Sequence, residues 1–279
     1  MLKRRALTKK KAAVTTAALL LDSLTVSASV AYSLRLLRAA YAGKCINVRR
    51  DSDNTTTDIG FVAGVLDTAS LLTFCGAGNG FVHIWYDQSG NANNLTWPTA
   101  SATTQPQIVA SGVVKNLNGI PTIVNTGTGC YPNNLSLTPT LYTANIVGAK
   151  GSSGSDFIGW GGNFGTNNQT LRVDTSNHPH TYFGTSDVAS TSTWAVTTVS
   201  GITFVRTPSN TVTPYLNNVA GAAMTQTTNS VSIGVLGANS GSGNPAGDQI
   251  SEGLVWSSAL GTTDLATLHS NQAAFYGTP

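Results

Sequence analysis

The sequence predicts an all-β sandwich with a helical N-terminal arm and a short C-terminal helix. Three observations predict it. Charged residues make up 10% of 279 positions, far below the usual ~25%, which excludes a coiled coil or a charge-extended disordered chain. Thr, Ser and Asn abound beside 29 Gly, a composition suited to strands joined by tight turns. Short alternating runs recur through the second half, the spacing expected of a sandwich. A chain of this length removes roughly three quarters of its unfolded surface from water, so its core needs neither disulfides nor metal.

The elements follow in order. Tyr32 to Ala42 reads as a helix, with Leu34, Leu37 and Tyr41 on one face, Arg35 and Arg38 on another, and Gly43 closing it. Lys44 to Arg50 and Phe81 to Tyr86 read as strands, with a short helix from Leu66 to Phe74 between them. Asp87-Gln88-Ser89-Gly90-Asn91 reads as a turn, because Asp bonds its own following backbone and Gly supplies positive φ. Further strands are expected over Thr143 to Gly148, Phe157 to Trp160, Leu171 to Val173, Thr193 to Ser200, Ile202 to Arg206, Val212 to Leu216, Val231 to Leu236 and Gln249 to Trp256. Asn217-Asn218 tolerates the left-handed backbone of a tight turn. Thr262 is placed to cap a helix running to about Tyr276, with Asp264 in its first turn and Leu265, Leu268 and Phe275 packing inward.

The formal charge of +3 is localised. Lys3, Arg4, Arg5, Lys9, Lys10 and Lys11 are six of the 15 basic residues, and the remaining nine basic and twelve acidic residues leave the rest at −3. A weakly acidic globule has no field for gripping phosphates, so no nucleic-acid partner is expected. The apolar stretch Ala12 to Leu21 imitates a secretory leader, but ten residues are too few to span a bilayer, which needs about 20. No membrane anchoring is expected. The segment reads instead as a retained basic arm, residues 1–31, held by a partner, ahead of a domain over residues 32–279. Cys45, Cys75 and Cys130 show no metal or redox spacing and read as buried small hydrophobes in a protein assembled under reducing conditions.

Two sets of segments resemble known families. Tyr32 to Leu37, Arg49-Arg50-Asp51-Ser52-Asp53-Asn54, Asp58-Ile59-Gly60-Phe61 and Trp85-Tyr86-Asp87-Gln88-Ser89-Gly90-Asn91 resemble the catalytic domain of α-L-arabinofuranosidase B, and also phage virion proteins that carry the same block. Pro214-Tyr215-Leu216-Asn217-Asn218, Ile233-Gly234 and Ile250 to Trp256 are similar to concanavalin-A-like and laminin-G-like jelly rolls. Together they imply a concanavalin-A-like jelly-roll sandwich over most of residues 32–279.

The resemblance places functional residues one at a time. A retaining glycosidase needs two carboxylates ~5–5.5 Å apart. The family's nucleophile is the Glu of an Asp-x-Glu-Asn segment, matched here by Asp174-Thr175-Ser176-Asn177, so Ser176 stands at that position. Its acid is the Asp of a Gly-Gly-Asp-Asn-Ser segment, matched by Leu236-Gly237-Ala238-Asn239-Ser240, so Ala238 stands there. The family's paired cysteines are absent near Asp156-Phe157 and Trp160. No catalytic residue is therefore expected. Asp174 and Asn177 remain as hydrogen-bonding groups for a sugar, with Trp160 or Tyr182 as a stacking face.

Other constellations select no chemistry. Glu252, the single glutamate, alternates with Ile250, Leu254 and Trp256 and reads as a partly buried structural residue. His178-Pro179-His180 reads as a pair of loop histidines, short of the three or four ligands zinc takes. Asp51, Asp53 and Asp58 lack the Gly and closing Glu of a calcium loop. No metal and no cofactor are expected. The resulting expectation is a non-enzymatic phage structural protein in the virion, a capsid decoration, head fibre or tail fibre. Its arm, Lys3 to Lys11, would contact other virion proteins, a homo-oligomer such as a trimer would pack the arms, and host surface polysaccharide would be its ligand. The alternative is a secreted α-L-arabinofuranosidase-like glycoside hydrolase.

Overall fold

The computed structural model describes residues 18–97, 104–127, 132, 135–151, 156–162, 169–183, 186–194, 196–226, 233–237 and 247–279. Strands β1 (Val30–Ser33), β2 (Ile46–Arg50) and β3 (Thr56–Ile59) precede helix α1 (Thr68–Cys75), which is followed by β4 (Gly80–Trp85), β5 (Gln107–Ala110) and β6 (Ile123–Val124). Then come β7 (Tyr142–Ala149), β8 (Phe157–Gly161), β9 (Gln169–Val173), β10 (Pro179–Phe183) and β11 (Ser186–Ala189). The chain finishes with β12 (Ser200–Arg206), β13 (Thr211–Leu216), β14 (Val235–Leu236), β15 (Gln249–Trp256) and α2 (Thr262–Tyr276).

The larger sheet runs β13-β12-β7-β15-β6-β5-β4-β2-β3, with β1 also paired to β15, and the smaller runs β11-β10-β9-β8-β14. Facing side chains of the two, among them Ile146, Ile202, Phe204 and Val255 from one and Phe157, Trp160, Leu171 and Val173 from the other, form one core. This is the jelly-roll-like sandwich that the sequence predicts. On the outer face of β15, Leu254 and Trp256 pack with Leu265 and Leu268 of α2. Strand β15 is thus covered on both sides, which is why its residues from Ile250 to Trp256 are all buried. Gly253 makes room there, since a Cβ would lie 3.2 Å from the Trp160 ring and 3.1 Å from Leu236, close enough to push both aside.

The N-terminal helix is not formed. Val30–Ser33 instead pairs with Val255–Glu252 as β1, and the Gln88 side chain holds the residues that follow. Its Oε1 accepts from the Leu37 amide at 2.8 Å, and its Nε2 donates to the carbonyls of Ser33 and Arg35, both at 3.0 Å. Backbone groups that a helix would pair internally are thereby satisfied from another segment. Upstream, Leu20, Leu21 and Ala28 are buried beside Trp256, Leu265 and Leu268, and Thr25 donates its amide (3.1 Å) and hydroxyl (2.6 Å) to Asp264. The fold therefore takes in the chain from Leu20 onward. The basic residues Lys3, Arg4, Arg5, Lys9, Lys10 and Lys11 lie outside the described residues, as do Cys130 and Ala238. No helix among the described residues is long and apolar enough to cross a membrane.

Further differences are local. The strand expected at Thr193 to Ser200 lies earlier, at Ser186–Ala189, and that expected at Val231 to Leu236 is seen over Val235–Leu236. Helix α2 has Gly261 rather than Thr262 at its N-cap, and Gly277 closes it in the left-handed conformation at φ 67°. A bulge between Ile250 and Glu252 puts Ile250 on the inner face and leaves Glu252 on the side of α2. There Glu252 is fully buried. It accepts from Arg35 Nε (2.9 Å) and a second guanidinium nitrogen (3.2 Å), Ser33 (2.8 Å), Gln272 (2.8 Å) and Tyr276 (3.0 Å).

Candidate functional site: a strand-end rim

Five strands end together at one rim of the sandwich. Val124 and Ala149 both pair with Gln249, and Val173 pairs with Phe157, so the ends of β6, β7 and β9 lie beside the starts of β8 and β15. Asp248 immediately precedes β15. Its carbonyl accepts from the Asn125 amide at 2.8 Å, and the Asn125 side chain reaches the carbonyl of Gly237, just past β14, at 3.2 Å. Gly151 donates its amide to Asp248 Oδ1 at 2.7 Å. Residue 151 must be glycine for this approach, since a Cβ would stand 2.1 Å from the Gly247 carbonyl carbon.

Asp248 is fully buried, and its Oδ2 has no partner among the described residues. Burial pushes its carboxyl up to about 7 against the opposing pull of the Gly151 amide and Lys150. It therefore retains its proton to far higher pH than an exposed carboxyl does. Lys150, itself 5% exposed, sends its ammonium 3.1 Å to the carbonyl of Asp174 and so ties the Asp248 edge of the rim to the turn after β9.

That turn presents the second carboxylate. Asp174 accepts from the His178 amide at 2.8 Å, and its Oδ2 lies 2.8 Å from His180 Nε2. Burial opposes its ionisation, but the amides of His178 and Ser176 and the rings of His180 and His178 outweigh burial and hold the carboxyl below its usual range. His180 Nδ1 in turn lies 2.9 Å from Asp187, and Arg172 reaches Asp187 at 3.5 Å and Asp156 at 3.2 Å. The rim therefore has an anionic carboxylate and a proton-retaining one, the division of labour on which acid-base hydrolysis depends.

The sequence-predicted sugar residues separate on this frame. Asp174 and Asn177 share the turn, where Asn177 is left-handed at φ 67° and its amide returns to the Asp174 carbonyl at 3.0 Å. Ser176 is exposed at the same turn, and Tyr182 lies half-buried in β10 opposite Thr170 and Asp187. Trp160 is corrected: it is 1% exposed, donates its Nε1 to the Asn145 carbonyl at 3.1 Å and packs in the core, so it offers no ring face to a ligand. The histidines are corrected too, since His180 belongs to strand β10 rather than to a loop. Asp51, Asp53 and Asp58 bond separate partners, Asn79, Arg50 with Thr55, and Asn47 with Tyr86. Sequence reading missed Asp248 and Lys150. Their signal was present: Lys150 directly follows the eight residues of β7, all of them buried, and Asp248 directly precedes β15, which is buried from Ile250 to Trp256.

Residues 23–145 match the family described as the catalytic domain of α-L-arabinofuranosidase B. A probable α-L-arabinofuranosidase B of Aspergillus flavus is 34% identical over 93 residues, which cover 33% of this chain and 18% of that protein. An α-L-arabinofuranosidase of Hypocrea jecorina is 35% identical over 111 residues, covering 36% of this chain and 22% of that protein. The matched part is thus about a fifth of these relatives' length. Among solved structures, an arabinofuranosidase complexed with arabinofuranosyl-α-1,2-xylobiose superposes with a TM-score of 0.68 at 17% identity, over 91% of this chain and 64% of that one. A GH54 α-L-arabinofuranosidase soaked with a cyclic sulfate inhibitor gives 0.67 at 17% identity, over 88% and 62%.

The chain carries an arabinofuranosidase B-like domain. These matches correct the expectations of a virion location, of a phage structural, decoration or fibre role, and of no enzymatic activity, because the relatives reported are named as glycosidases. The physical reason lies in the fold. Ser176 and Ala238 were assigned by their place along the chain, whereas carboxylates are brought to a site by the fold, which puts Asp174 and Asp248 on one rim.

Proposed function

We propose that this chain is a glycoside-hydrolase domain of the α-L-arabinofuranosidase type, working at the strand-end rim. The observation that carries the reading is the match of residues 23–145 to the catalytic domain of that family, at 34% identity over 93 residues to the Aspergillus flavus relative. The rim supplies a chemistry consistent with it. Glycosidic cleavage needs a carboxyl that protonates the departing oxygen and a carboxylate that stabilises, attacks or activates water at the anomeric carbon. Asp248 is the carboxyl suited to the first role, since burial lets it keep its proton and its Oδ2 bonds no described residue. Asp174 fills the second, and Lys150 and His180 fix its turn. His180, held between Asp174 and Asp187, orients the carboxylate rather than accepting a proton from substrate.

The test is release of 4-nitrophenol from 4-nitrophenyl α-L-arabinofuranoside by the purified full chain. Turnover is expected, with Asp174→Asn and Asp248→Asn each lowering kcat by about a hundredfold or more. Absence of release by the unaltered protein overturns the function. Wild-type turnover in Asp248→Asn overturns the assignment of the acid while leaving the function standing.

A further inference from the structure

The Tyr86-Asp87-Gln88-Ser89-Gly90-Asn91 block takes no part in the rim. It forms one wall of a separate concavity of about 450 Å³ at the β2–β3 edge of the larger sheet, lined by Tyr41, Lys44, Asp58, Tyr86, Gly90 and Asn94. That volume falls within the roughly 300–1,000 Å³ of small-molecule sites.

The walls are built before any ligand arrives. Asp87, buried beneath the block, accepts from the amides of Ala31 (2.8 Å), Ser89 (2.9 Å) and Asn93 (3.1 Å) and from the Ser89 hydroxyl (2.7 Å). Asn94 Oδ1 accepts the Asp87 amide at 3.0 Å, Tyr32 donates its hydroxyl to the Asn93 carbonyl, and Arg38 reaches the Ser89 carbonyl at 2.6 Å. Gly90 adopts φ +98°, which a side chain would strain. On the opposite wall Tyr41 folds over Gly43 so closely that a Cβ there would lie 2.4 Å from the tyrosine oxygen.

What this leaves for a ligand is specific. The Tyr41 hydroxyl is spent on the Lys44 carbonyl at 2.8 Å, and the Tyr86 hydroxyl on Asp58 Oδ1 at 2.8 Å. Burial and Asp58 push the Tyr86 phenol up to about 12, so it keeps donating through the neutral range. Both rings are half-buried, so with their hydroxyls tied down they offer carbon surface. Asp58 Oδ2 and the Lys44 ammonium have no bond to any described residue and stand ready as acceptor and donor. The carboxylates of Asp58 and Asp87 are balanced by the Lys44 ammonium and by the Arg38 guanidinium behind Gly90, leaving no net charge to select an ion. Aromatic surface beside a paired acceptor and donor suits a ligand with apolar C–H faces and rings of hydroxyls.

We infer that this concavity is a second carbohydrate-binding site, distinct from the rim, that takes a neutral sugar against Tyr41 and Tyr86 with its hydroxyls on Asp58 and Lys44. It lies beyond β6, β5 and β4 from the rim, on a different edge of the fold. Occupancy here holds a saccharide to the protein without chemistry.

The test is titration of the full chain with xylobiose, arabinobiose and maltose, and with galacturonic acid as an anionic control, followed calorimetrically. At least one neutral sugar is expected to bind in the millimolar range, with the anion weaker. Lys44→Ala, Asp58→Ala and Tyr41→Ala should each weaken that binding, the double Lys44→Ala/Asp58→Ala change by about tenfold. All three positions are partly or fully exposed, so the variants should fold, which a melting curve checks. Hydrolysis of 4-nitrophenyl α-L-arabinofuranoside should be unaltered in them. No binding of any neutral sugar, or binding undiminished in all the variants, overturns the proposal. Failure of the unaltered chain to hydrolyse the aryl glycoside overturns the rim reading and leaves this site standing.

Discussion

Replacing Asp248 by Asn gives the sharpest physical test of the rim. An unfolded Asp loses its proton near 3.8, whereas the buried carboxyl in the fold keeps it until about 7. Below about pH 4 both states are protonated, and the side chain's contribution to stability is fully present. As pH rises from there to 7 the unfolded chain releases a proton that the fold retains, so the contribution is progressively lost. Roughly three pH units at 1.36 kcal/mol each amount to about 4 kcal/mol. Asn has the same shape, and its oxygen still accepts from Gly151, but it cannot ionise. Urea unfolding of both proteins between pH 4 and 9 is therefore expected to show a gap that widens in favour of Asp248→Asn up to about pH 7.5 and is then level. A gap that stays constant from pH 4 to 8 would refute the claim that this carboxyl is desolvated, and with it the source of the acid.

Two further outcomes follow from the packing. Arg35→Met removes the cation from a fully buried Glu252 and is expected to cost about 3–5 kcal/mol, with much of it recovered when Glu252→Gln is added. Thermal unfolding checks both, and a loss under about 1 kcal/mol would show that Arg35 is dispensable. Trp160→Ala should lower stability by about 3–5 kcal/mol through the cavity it leaves between the sheets, while Trp160→Phe retains full hydrolysis per folded molecule. A specific rise in KM for Trp160→Phe would return this residue to the sugar site.

The polarity of their surroundings gives Asp248 at the rim and Glu252 beneath α2 opposite meanings, although one precedes and the other sits within β15 and both are buried. Glu252 is met by a guanidinium and by hydroxyl and amide donors, which outweigh its burial and hold its carboxyl low. Asp248 has one amide and a more distant ammonium, too little to offset the loss of water. Count and charge of partners, rather than depth, separate a structural carboxylate from one able to carry a proton at neutral pH.

Local pattern was enough to read much of this protein from its sequence. The β15 span and the extent of α2 were legible because alternation over Gln249–Trp256 and the run from Thr262 to Gly277 state their own periodicity and stop signal. The Asn217-Asn218 hairpin was legible because two residues suffice to join Leu216 to Val219. The segment after Tyr32 was not legible. Its helical spacing of leucines is real, but pairing with Val255–Glu252 and the bonds from Gln88 come from residues far along the chain and outweigh so short a preference. Trp160 misled for the same reason: an aromatic beside glycines is exposed or buried according to what lies across from it, here Gly253. Local propensity, written in neighbouring side chains, chose the strands, turns and last helix. Which acids come to the rim, and which of them keeps its proton, was decided by the packing of distant strand ends and by the water they exclude.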